Sequence, residues 1–165
     1  MAELDIVIPV YNEGGNIVSV LDSIDAHVKT PYRVFIVYDF DEDDTLPAVA
    51  GYPPEKAEIV LVKNPGRGPN KAMIAGLERS TAPFVLTHMA DDDFNADVFD
   101  AMVEKIRGGA DIVTGSRFMP GGCMVGCRWY KKLITQTASL SLHYVGRLPV
   151  HDATNAFRMF SRRVL

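Results

Sequence analysis

The sequence predicts an α/β domain whose core is an open, mostly parallel sheet flanked by helices. Short apolar and β-branched runs alternate with amphipathic segments of about ten residues, a pattern typical of βαβ units with right-handed crossovers. The chain has 165 residues, enough to bury a sizeable core as one domain. We expect a single domain over residues 1–165, because no internal repeat, low-complexity tract or linker interrupts it.

Each predicted strand is a short apolar run that stops at a polar or glycine-containing stretch. The first run, LDIVIPV, is apolar with a single charged residue, which indicates a fully buried strand. The five strands are expected at Leu4 to Val10, Tyr32 to Tyr38, Ala57 to Val62, Phe84 to Thr87 and Asp111 to Gly115.

Helices are predicted where apolar residues recur at helical spacing between the strands. Asn16 to Val28 carries them at 17, 20, 21, 24 and 28, and the segment from about Asp97 to Arg107 carries them at 98, 99, 102, 103 and 106. Gly108 ends the second helix, consistent with the preference for glycine at helix ends. A weak helix is expected near 46–50 and a firmer one at 71–80.

The last third of the chain has fewer strand and helix signals. Met119 to Gly126 is rich in glycine and has little to bury, so we expect a mobile loop there. Trp129 to Val145 is long enough for one helix, and Asn155 to Phe160 is predicted to form a strand. A further helix is expected to begin at Arg162.

Composition excludes several classes of protein. The net charge of −4, from 17 basic and 21 acidic residues, gives no general electrostatic case for nucleic acid. Charged Glu3 and Asp5 argue against a signal peptide, and no apolar run approaches the length of a membrane span. Cys123 and Cys127 lack a second ligand pair at zinc spacing, so we expect free thiols. These features predict a cytoplasmic protein that meets a membrane only peripherally or through a segment outside these residues.

Three consecutive carboxylates, Asp91, Asp92 and Asp93, follow the fourth predicted strand. In an α/β sheet, ligands bind in the crevice beyond the carboxyl ends of the strands. Adjacent carboxylates repel one another unless a cation or donor groups offset their charge, and a divalent metal is a natural partner. The acids alone are equally consistent with a solvated turn at the start of the next helix.

Three other motifs in the chain bear on alternative chemistries. Acids at 39, 41 and 43 lack the glycine and glutamate that an EF-hand places at its sixth and twelfth positions. The Gly66-Arg67-Gly68 turn has Lys71 where the dinucleotide fingerprint needs a glycine. Asp39-Phe40-Asp41 resembles the first motif of haloacid-dehalogenase-type phosphatases, which use a nucleophilic carboxylate with magnesium. A metal-dependent phosphatase therefore stays an alternative.

Chemically useful side chains follow four of the predicted strands, and parallel strands bring such residues to one edge of a sheet. They are Pro9, Tyr11 and Glu13 after the first strand, Asp39 after the second, Asp91 and Asp93 after the fourth, and Arg117 after the fifth. Carboxylates accept hydrogen bonds from a base and a ribose, a metal neutralises a diphosphate, and arginine binds a further phosphate. The set predicts a site for a nucleoside diphosphate.

Five motifs, in order, resemble those of the family 2 glycosyltransferases, and most closely the dolichol- and polyprenol-phosphate sugar synthases. They are IPVYNEGGNI, IVYDFDEDDT, NPGRGPNKAMIAGL, ADDDFNAD with its Asp-x-Asp pattern, and GSRFMPGG followed by WYKKLIT and HDATNAFRMFSRRVL. The resemblance covers nearly the whole chain. It implies the GT-A fold, a Rossmann-like, mostly parallel open sheet that binds nucleotide-diphospho sugars.

The resemblance also implies roles for single residues. The residues expected to bind the nucleotide sugar are Pro9, Tyr11, Glu13, Asp39, Lys71 and Asp91. The ligands expected for Mg2+ or Mn2+ are Asp91, Asp93 and Asn95. The residues expected on the acceptor side are Arg117, Lys131, Asp152 and Arg158. The residues expected to be catalytic are Asp91, Asp93 and Arg117.

The implied reaction is an inverting transfer in which a polyprenyl- or dolichyl-phosphate oxygen attacks the anomeric carbon of a nucleoside-diphosphate sugar at a membrane surface. GDP-mannose is the favoured donor and a UDP-sugar the alternative, since Tyr38 and Asp41 depart from the family pattern in the base-binding loop. A saccharide acceptor is the second prediction, because the donor half of the site would be shared. A non-catalytic nucleotide-sugar binding module is the non-enzymatic alternative.

Two further departures concern the acceptor side and the end of the chain. Asn155 and Ala156 stand where the family's acceptor motif has Ser-Gly. By the same resemblance, the residues present are expected to lack the family's last amphipathic helix, its basic segment and any membrane anchor. The sequence indicates no oligomeric state.

Overall fold

The computed structural model describes residues 2–53, 57–119, 121–122, 124 and 127–165. Within them the chain forms two compact units. The first consists of residues 1–113 and 159–165, and the second of residues 114–158. Four of the eight residues in the predicted loop from Met119 to Gly126 lie outside the described residues, and so does Cys123.

Six strands form one open sheet in the order β3-β2-β1-β4-β6-β5. Their bounds are β1 (Leu4–Pro9), β2 (Tyr32–Tyr38), β3 (Glu58–Lys63), β4 (Phe84–Thr87), β5 (Ile112–Thr114) and β6 (Arg158–Ser161). The strands β3, β2, β1 and β4 run parallel. The bonds from Ser161 N to Asp111 O and from Gly115 N to Phe157 O indicate that β6 runs antiparallel to β5. The mostly parallel open sheet is confirmed.

Helices lie between the strands at the predicted places. Their bounds are α1 (Ile17–His27), α2 (Thr45–Ala50), α3 (Pro69–Arg79), α4 (Phe99–Arg107) and α5 (Trp129–Tyr144). Single 3-10 turns occupy Ala96–Val98 and Arg162–Val164. The first corrects the expected start of α4 and the second replaces the helix expected at Arg162. None of the helices that the structure describes has the length and apolar character of a membrane span.

The core lies on both faces of the central strands. All six residues of β1 are buried, and Val7 packs in a cluster with Phe35 and Val37 of β2 and with Ala72 and Ala75 of α3. Each large apolar side chain removed from water in such a core stabilises the fold by roughly 1.5–3 kcal/mol. The parallel strands are therefore held rigidly, and their carboxyl ends share one edge of the sheet.

A buried ion pair ties the first two strands to the turn before β4. Asp5 is fully buried and accepts hydrogen bonds from Arg33 Nε at 2.9 Å and Nη2 at 3.0 Å. The same carboxylate accepts the backbone N–H groups of Thr81 and Ala82 at 2.8 and 2.9 Å. Because each carboxylate oxygen has donors, the charge of Asp5 is compensated inside the core.

Gly76 permits α3 to approach the sheet. A Cβ at this position would lie 2.2 Å from Val7 Cγ1 and 3.1 Å from Val37 Cγ2, both in the core. We predict that Gly76→Ala destabilises the protein by about 1–3 kcal/mol, since overpacking outweighs the gain in helix propensity of about 1 kcal/mol. Urea unfolding measures this change. Gly15→Ala is the matched control, because a Cβ at Gly15 meets nothing within 4 Å; equal effects of the two substitutions would contradict the close packing of α3.

Candidate functional site

Acids after β2 hold the loop that follows β1. Asp43 is buried, and both its carboxylate oxygens accept the backbone N–H of Asn12 at 3.2 Å. Asp44 accepts the N–H of Gly14 at 2.8 Å. Asn12 has a φ of +54°, a left-handed conformation that Asn tolerates better than most residues. These two acids are therefore structural, and the conformation of the loop depends on them.

The predicted nucleotide-binding residues after β1 lie along this loop. Pro9 ends the buried strand, whereas Tyr11 is exposed and its ring meets Phe40 edge to face with centroids 5.4 Å apart. Glu13 is half-buried; its N–H donates to Thr45 Oγ1 at 2.9 Å, and its carboxylate accepts the amide of Asn16 at 2.8 Å. The exposed tyrosine ring can stack on a planar group, as a nucleobase requires.

Asp39, after β2, organises the glycine-rich turn after β3. Its Oδ1 accepts the side-chain amide of Asn64 at 2.7 Å and its Oδ2 accepts the N–H of Gly68 at 2.8 Å. Asn64 is buried and its own Oδ1 accepts the N–H of Gly66 at 3.0 Å. Gly68 has a φ of +87°, a conformation that favours glycine, and it precedes the first turn of α3. Asp39 and Asn64 together fix this turn.

Lys71, in the first turn of α3, lies over the same turn. A Cβ on Gly66 would come within 2.3 Å of Lys71 Cδ, so the glycine makes room for the aliphatic part of the lysine side chain. A cavity of about 300 Å3 opens beside it. Its lining residues are Pro65, Gly66, Lys71, Ile74, Ala75 and Glu78. The lysine side chain is exposed there, where it can meet an anionic group.

Two of the three acids after β4 have carboxylates without a hydrogen-bond donor among the residues that the structure describes. Asp91 is exposed and Asp93 is half-buried, and neither carboxylate accepts a hydrogen bond from any residue that the structure describes. The backbone of Asp93 is fixed nonetheless, because its carbonyl oxygen accepts Ser23 Oγ of α1 at 2.7 Å. The loop is thus held in place while two carboxylates stay available.

Asp92 holds the loop from within. Its carboxylate accepts the amide of Asn95 at 2.8 and 2.7 Å and the N–H of Phe94 at 3.3 Å. Its carbonyl oxygen lies 2.7 Å from the ring nitrogen Nε2 of His88, which is buried. Burial lowers the pKa of His88, against the opposing charge of Asp92. Asp92 is half-buried, and its carboxylate is bonded within its own loop.

In the second unit, two residues predicted to bind an acceptor bind each other. Arg117 donates from Nε at 2.8 Å and from Nη2 at 2.7 Å to the two oxygens of Asp152, which is fully buried. The N–H of Arg117 also donates to Asp152 at 3.1 Å. Thr154 and Ser139 surround the pair, with oxygens 3.2 and 3.3 Å from Asp152 Oδ1. The hydrogen bonds that Arg117 donates to Asp152 raise the pKa of Arg117.

The other two predicted acceptor residues differ from each other. Arg158 donates from Nε to Asn155 O at 2.7 Å and from Nη2 to Ala153 O, so it holds the turn before β6. Asn155 donates to the carbonyl oxygen of Gly115 at 2.9 Å. These side-chain bonds stabilise an irregular turn, which is why β6 begins at Arg158 and not at the predicted Asn155. Lys131 is exposed in the first turn of α5.

The sequence of residues 5–165 matches Glycosyl transferase family 2. The chain belongs to this family. A dolichol-phosphate mannosyltransferase of Pyrococcus furiosus is 26% identical over 147 residues, which are 88% of this chain and 41% of that protein. An uncharacterized glycosyltransferase of Mycobacterium tuberculosis is 33% identical, over 89% of this chain and 62% of that protein. The chain thus spans 62% or less of the length of these curated relatives.

Solved structures of glycosyltransferases share the fold. Glucosyl-3-phosphoglycerate synthase from Mycobacterium tuberculosis, solved with Mn2+, UDP and glucosyl-3-phosphoglycerate, superposes with a TM-score of 0.73 at 18% identity. The match covers 99% of this chain and 58% of that one. TarS of S. aureus gives a TM-score of 0.58 at 26% identity, over 69% of this chain and 35% of that one. The GT-A fold predicted from the sequence is confirmed.

The loop after β4 offers carboxylate oxygens, which are the ligands that a divalent cation such as Mg2+ binds. Among the described residues, no group of three or more His, Cys, Asp or Glu side chains stands ready to hold a metal ion. Asp91 and Asp93 nevertheless offer oxygens that no described donor occupies. Mg2+ usually takes one or two protein carboxylates and completes its shell with water and substrate phosphates. The amide nitrogen of Asn95, the third predicted ligand, is bonded to Asp92.

Sequence reasoning missed the residues that position this site. Asn64, Asp43 and Ser139 are buried polar side chains whose partners lie 13 to 31 residues away. Their signal in the sequence is weak, because a polar residue next to a predicted strand usually faces water. The dense run of acids after β2, which includes Asp43, is the sequence signal for one of these residues.

We predict that Asn64→Ala destabilises the protein by about 1–3 kcal/mol, because Asp39 Oδ1 loses a donor and the turn loses an acceptor. Thermal unfolding and urea titration measure the change. Asn70→Ala, at an exposed position in the first turn of α3, is the matched control and should stay within about 0.5 kcal/mol. A neutral Asn64→Ala would show that the turn does not depend on this side chain.

Asp152→Asn should remove a pH-dependent part of the stability. Burial raises the pKa of Asp152, but the hydrogen bonds and charge of Arg117 outweigh it and hold the pKa below its ordinary value. Stability from the pair is therefore present above that ordinary value and is lost as pH falls through the folded-state pKa. We expect Asp152→Asn to lower the free energy of unfolding by about 2 kcal/mol at pH 7 and to reduce the further loss of stability as the pH falls.

Urea midpoints between pH 7 and pH 3 measure this effect. Asp111→Asn is the control, since Asp111 pairs with Arg163 at the surface and such pairs contribute at most about 1 kcal/mol. An equal loss of stability between pH 7 and pH 3 in wild type and Asp152→Asn would contradict a stabilising role for the ionised Asp152.

Proposed function

We propose that this chain is the catalytic part of a metal-dependent, inverting glycosyltransferase that moves a sugar, with mannose favoured, from a nucleoside-diphosphate sugar to a polyprenyl or dolichyl phosphate. One observation carries the proposal. The carboxylates of Asp39, Asp43 and Asp92 all accept hydrogen bonds from the protein, whereas those of Asp91 and Asp93 accept none from the described residues. These two carboxylates therefore keep oxygens that a divalent cation can bind.

Residues of the first unit would bind the donor. The exposed ring of Tyr11 offers a stacking surface for a base, beside Pro9 and the half-buried Glu13. Asp39 keeps lone pairs beyond those used by Asn64 and Gly68, and these can accept from the base. Lys71 would supply a positive charge to the diphosphate as a point contact.

Asp91, Asp93 and Asn95 would hold Mg2+ or Mn2+. When bound, such an ion supplies positive charge to the departing diphosphate. The residues themselves provide fixed oxygens, since Asp93 is anchored through Ser23 and Asn95 through Asp92. A preorganised site of this kind spends little free energy on reorganisation during transfer.

Residues of the second unit would bind the acceptor phosphate. Asp152 occupies the Nε and Nη2 edge of Arg117, which leaves Nη1 for a phosphate oxygen. Lys131 is exposed and can add a second cationic contact, while Arg158 shapes the turn. The acceptor phosphate is anionic near neutral pH, so positioning and charge neutralisation matter more than a general base. The names of curated relatives support a lipid phosphate, since two of them are polyprenyl-type phosphate mannose enzymes at 24–26% identity.

The alternatives differ in how well the geometry supports them. A saccharide acceptor would share the donor half of the site, and the fold alone does not distinguish it. The phosphatase is less well supported, because both oxygens of its would-be nucleophile Asp39 accept hydrogen bonds from the glycine-rich turn.

Donor identity is tested with a panel of GDP- and UDP-sugars. Radiolabel that enters an organic-extractable lipid identifies a lipid acceptor, and label that stays in water-soluble saccharide contradicts it.

We predict that Asp93→Ala lowers sugar transfer by about 100-fold or more with little change in the melting temperature, since no described residue donates a hydrogen bond to its carboxylate. Transfer of label to polyprenyl phosphate in the presence of Mn2+ or Mg2+ measures it. Asp97→Asn, an exposed acid in the following 3-10 turn, is the control and should keep full activity. Metal-dependent thermal stabilisation by GDP or UDP should also disappear in Asp93→Ala. An active Asp93→Ala protein would overturn the proposal.

A further inference from the structure

The helix α5 is almost entirely exposed. Of its 16 residues only Ser139 is buried, where it faces Asp152. Four large side chains lie within a sector of about 60° on a helix of 3.6 residues per turn. They are Trp129, Leu133, Leu140 and Tyr144, with 77%, 56%, 42% and 71% of their surface exposed. We call these four residues the α5 face.

The unit that contains α5 is strongly cationic. Residues 114–158 hold six Lys and Arg against one acid, Asp152, whereas the rest of the chain holds 11 basic and 20 acidic residues. The single acid is buried and paired with Arg117, so it offers no negative charge to the surface. The exposed cations next to the helix are Arg128, Lys131, Lys132 and Arg147.

We propose that the α5 face docks on an anionic lipid surface. A helix that lies in a membrane interface buries its apolar side chains at the acyl boundary and keeps its basic residues at the headgroups. Tryptophan and tyrosine are favoured at that depth, and here they occupy the two ends of the face. Each Lys or Arg near an anionic surface strengthens binding about fivefold, so the neighbouring cations supply an attraction comparable with that of the apolar face.

Charge decides between a lipid surface and a second copy of this chain. A symmetric dimer through the α5 face would bring two clusters of exposed cations together, and like charges repel. An anionic bilayer instead offsets these charges over its whole area. The proposal goes beyond the proposed function, because it requires no nucleotide, metal or sugar. The helix belongs to the same unit as Arg117, so docking would bring this arginine to the surface that carries a lipid-borne phosphate.

Intrinsic fluorescence provides a direct test, because Trp129 is the only tryptophan in the chain. The full chain is mixed with phosphatidylcholine vesicles, with or without about 30% phosphatidylglycerol, at low salt and at about 1 M salt. We expect a blue shift of Trp129 emission and co-sedimentation with the anionic vesicles only, and weaker binding at high salt. No shift and no sedimentation with anionic vesicles would overturn the proposal.

Substitutions on the helix distinguish docking through α5 from nonspecific binding to vesicles. Leu133→Ser with Leu140→Ser, and separately Lys132→Glu, should each weaken vesicle binding about tenfold or more while the circular dichroism spectrum is kept. The matched controls are Leu61→Ser on β3 and Lys105→Glu on α4, which change an exposed leucine and an exposed lysine of the other unit. Equal losses in the controls would overturn the assignment to α5. A dimer in solution that Leu133→Ser dissociates, without vesicle binding, would assign the face to a second copy instead.

Discussion

Carboxylates that accept backbone N–H groups hold together the carboxyl edge of the sheet. Parallel strands end there in loops whose amides have no ladder partner, and an unpaired buried amide costs about 1–3 kcal/mol. This chain satisfies such amides with Asp39, Asp43 and Asp92. Asp92 accepts a backbone N–H of its own loop, whereas Asp39 and Asp43 accept one from the loop after another strand. The loops are fixed by acids, and the acids left over, Asp91 and Asp93, are the ones available for other chemistry.

This use of acids explains why the sequence predicted the fold better than the site. The bounds of β2 and β4 were predicted to the residue, Tyr32–Tyr38 and Phe84–Thr87, because an uninterrupted apolar run cannot remain in water. An aspartate carries no comparable local constraint. Asp92 and Asp93 are neighbours of identical chemistry, yet the carboxylate of Asp92 accepts the amide of Asn95 and that of Asp93 accepts nothing from the described residues. Loop conformation makes that distinction, and sequence spacing does not reveal it.

The acceptor side shows the same limit over a longer distance. Arg117 and Asp152 were predicted as separate acceptor ligands, whereas they form a bidentate pair across 35 residues of sequence. A motif match identifies residues that matter without saying what they touch. The pairing gives the two residues different roles. Asp152 is fully buried and bonded on both oxygens, so it positions Arg117 and offers no surface to a substrate. Ser139, which no motif contained, completes the arrangement from α5.

The uneven charge of the two units gives the proposed reaction a physical logic. A nucleoside diphosphate is an anion, and a unit with 20 acidic and 11 basic residues repels it unless a cation intervenes. Under the proposed reaction, a metal at Asp91 and Asp93 would offset this repulsion, and no residue that the structure describes donates to either carboxylate. The second unit, with six cations against one buried acid, needs no such aid to bind an anionic phosphate or a bilayer that carries it. On this reasoning donor binding should depend on metal, because the first unit is acidic. Acceptor binding should depend on ionic strength, because the second unit is basic.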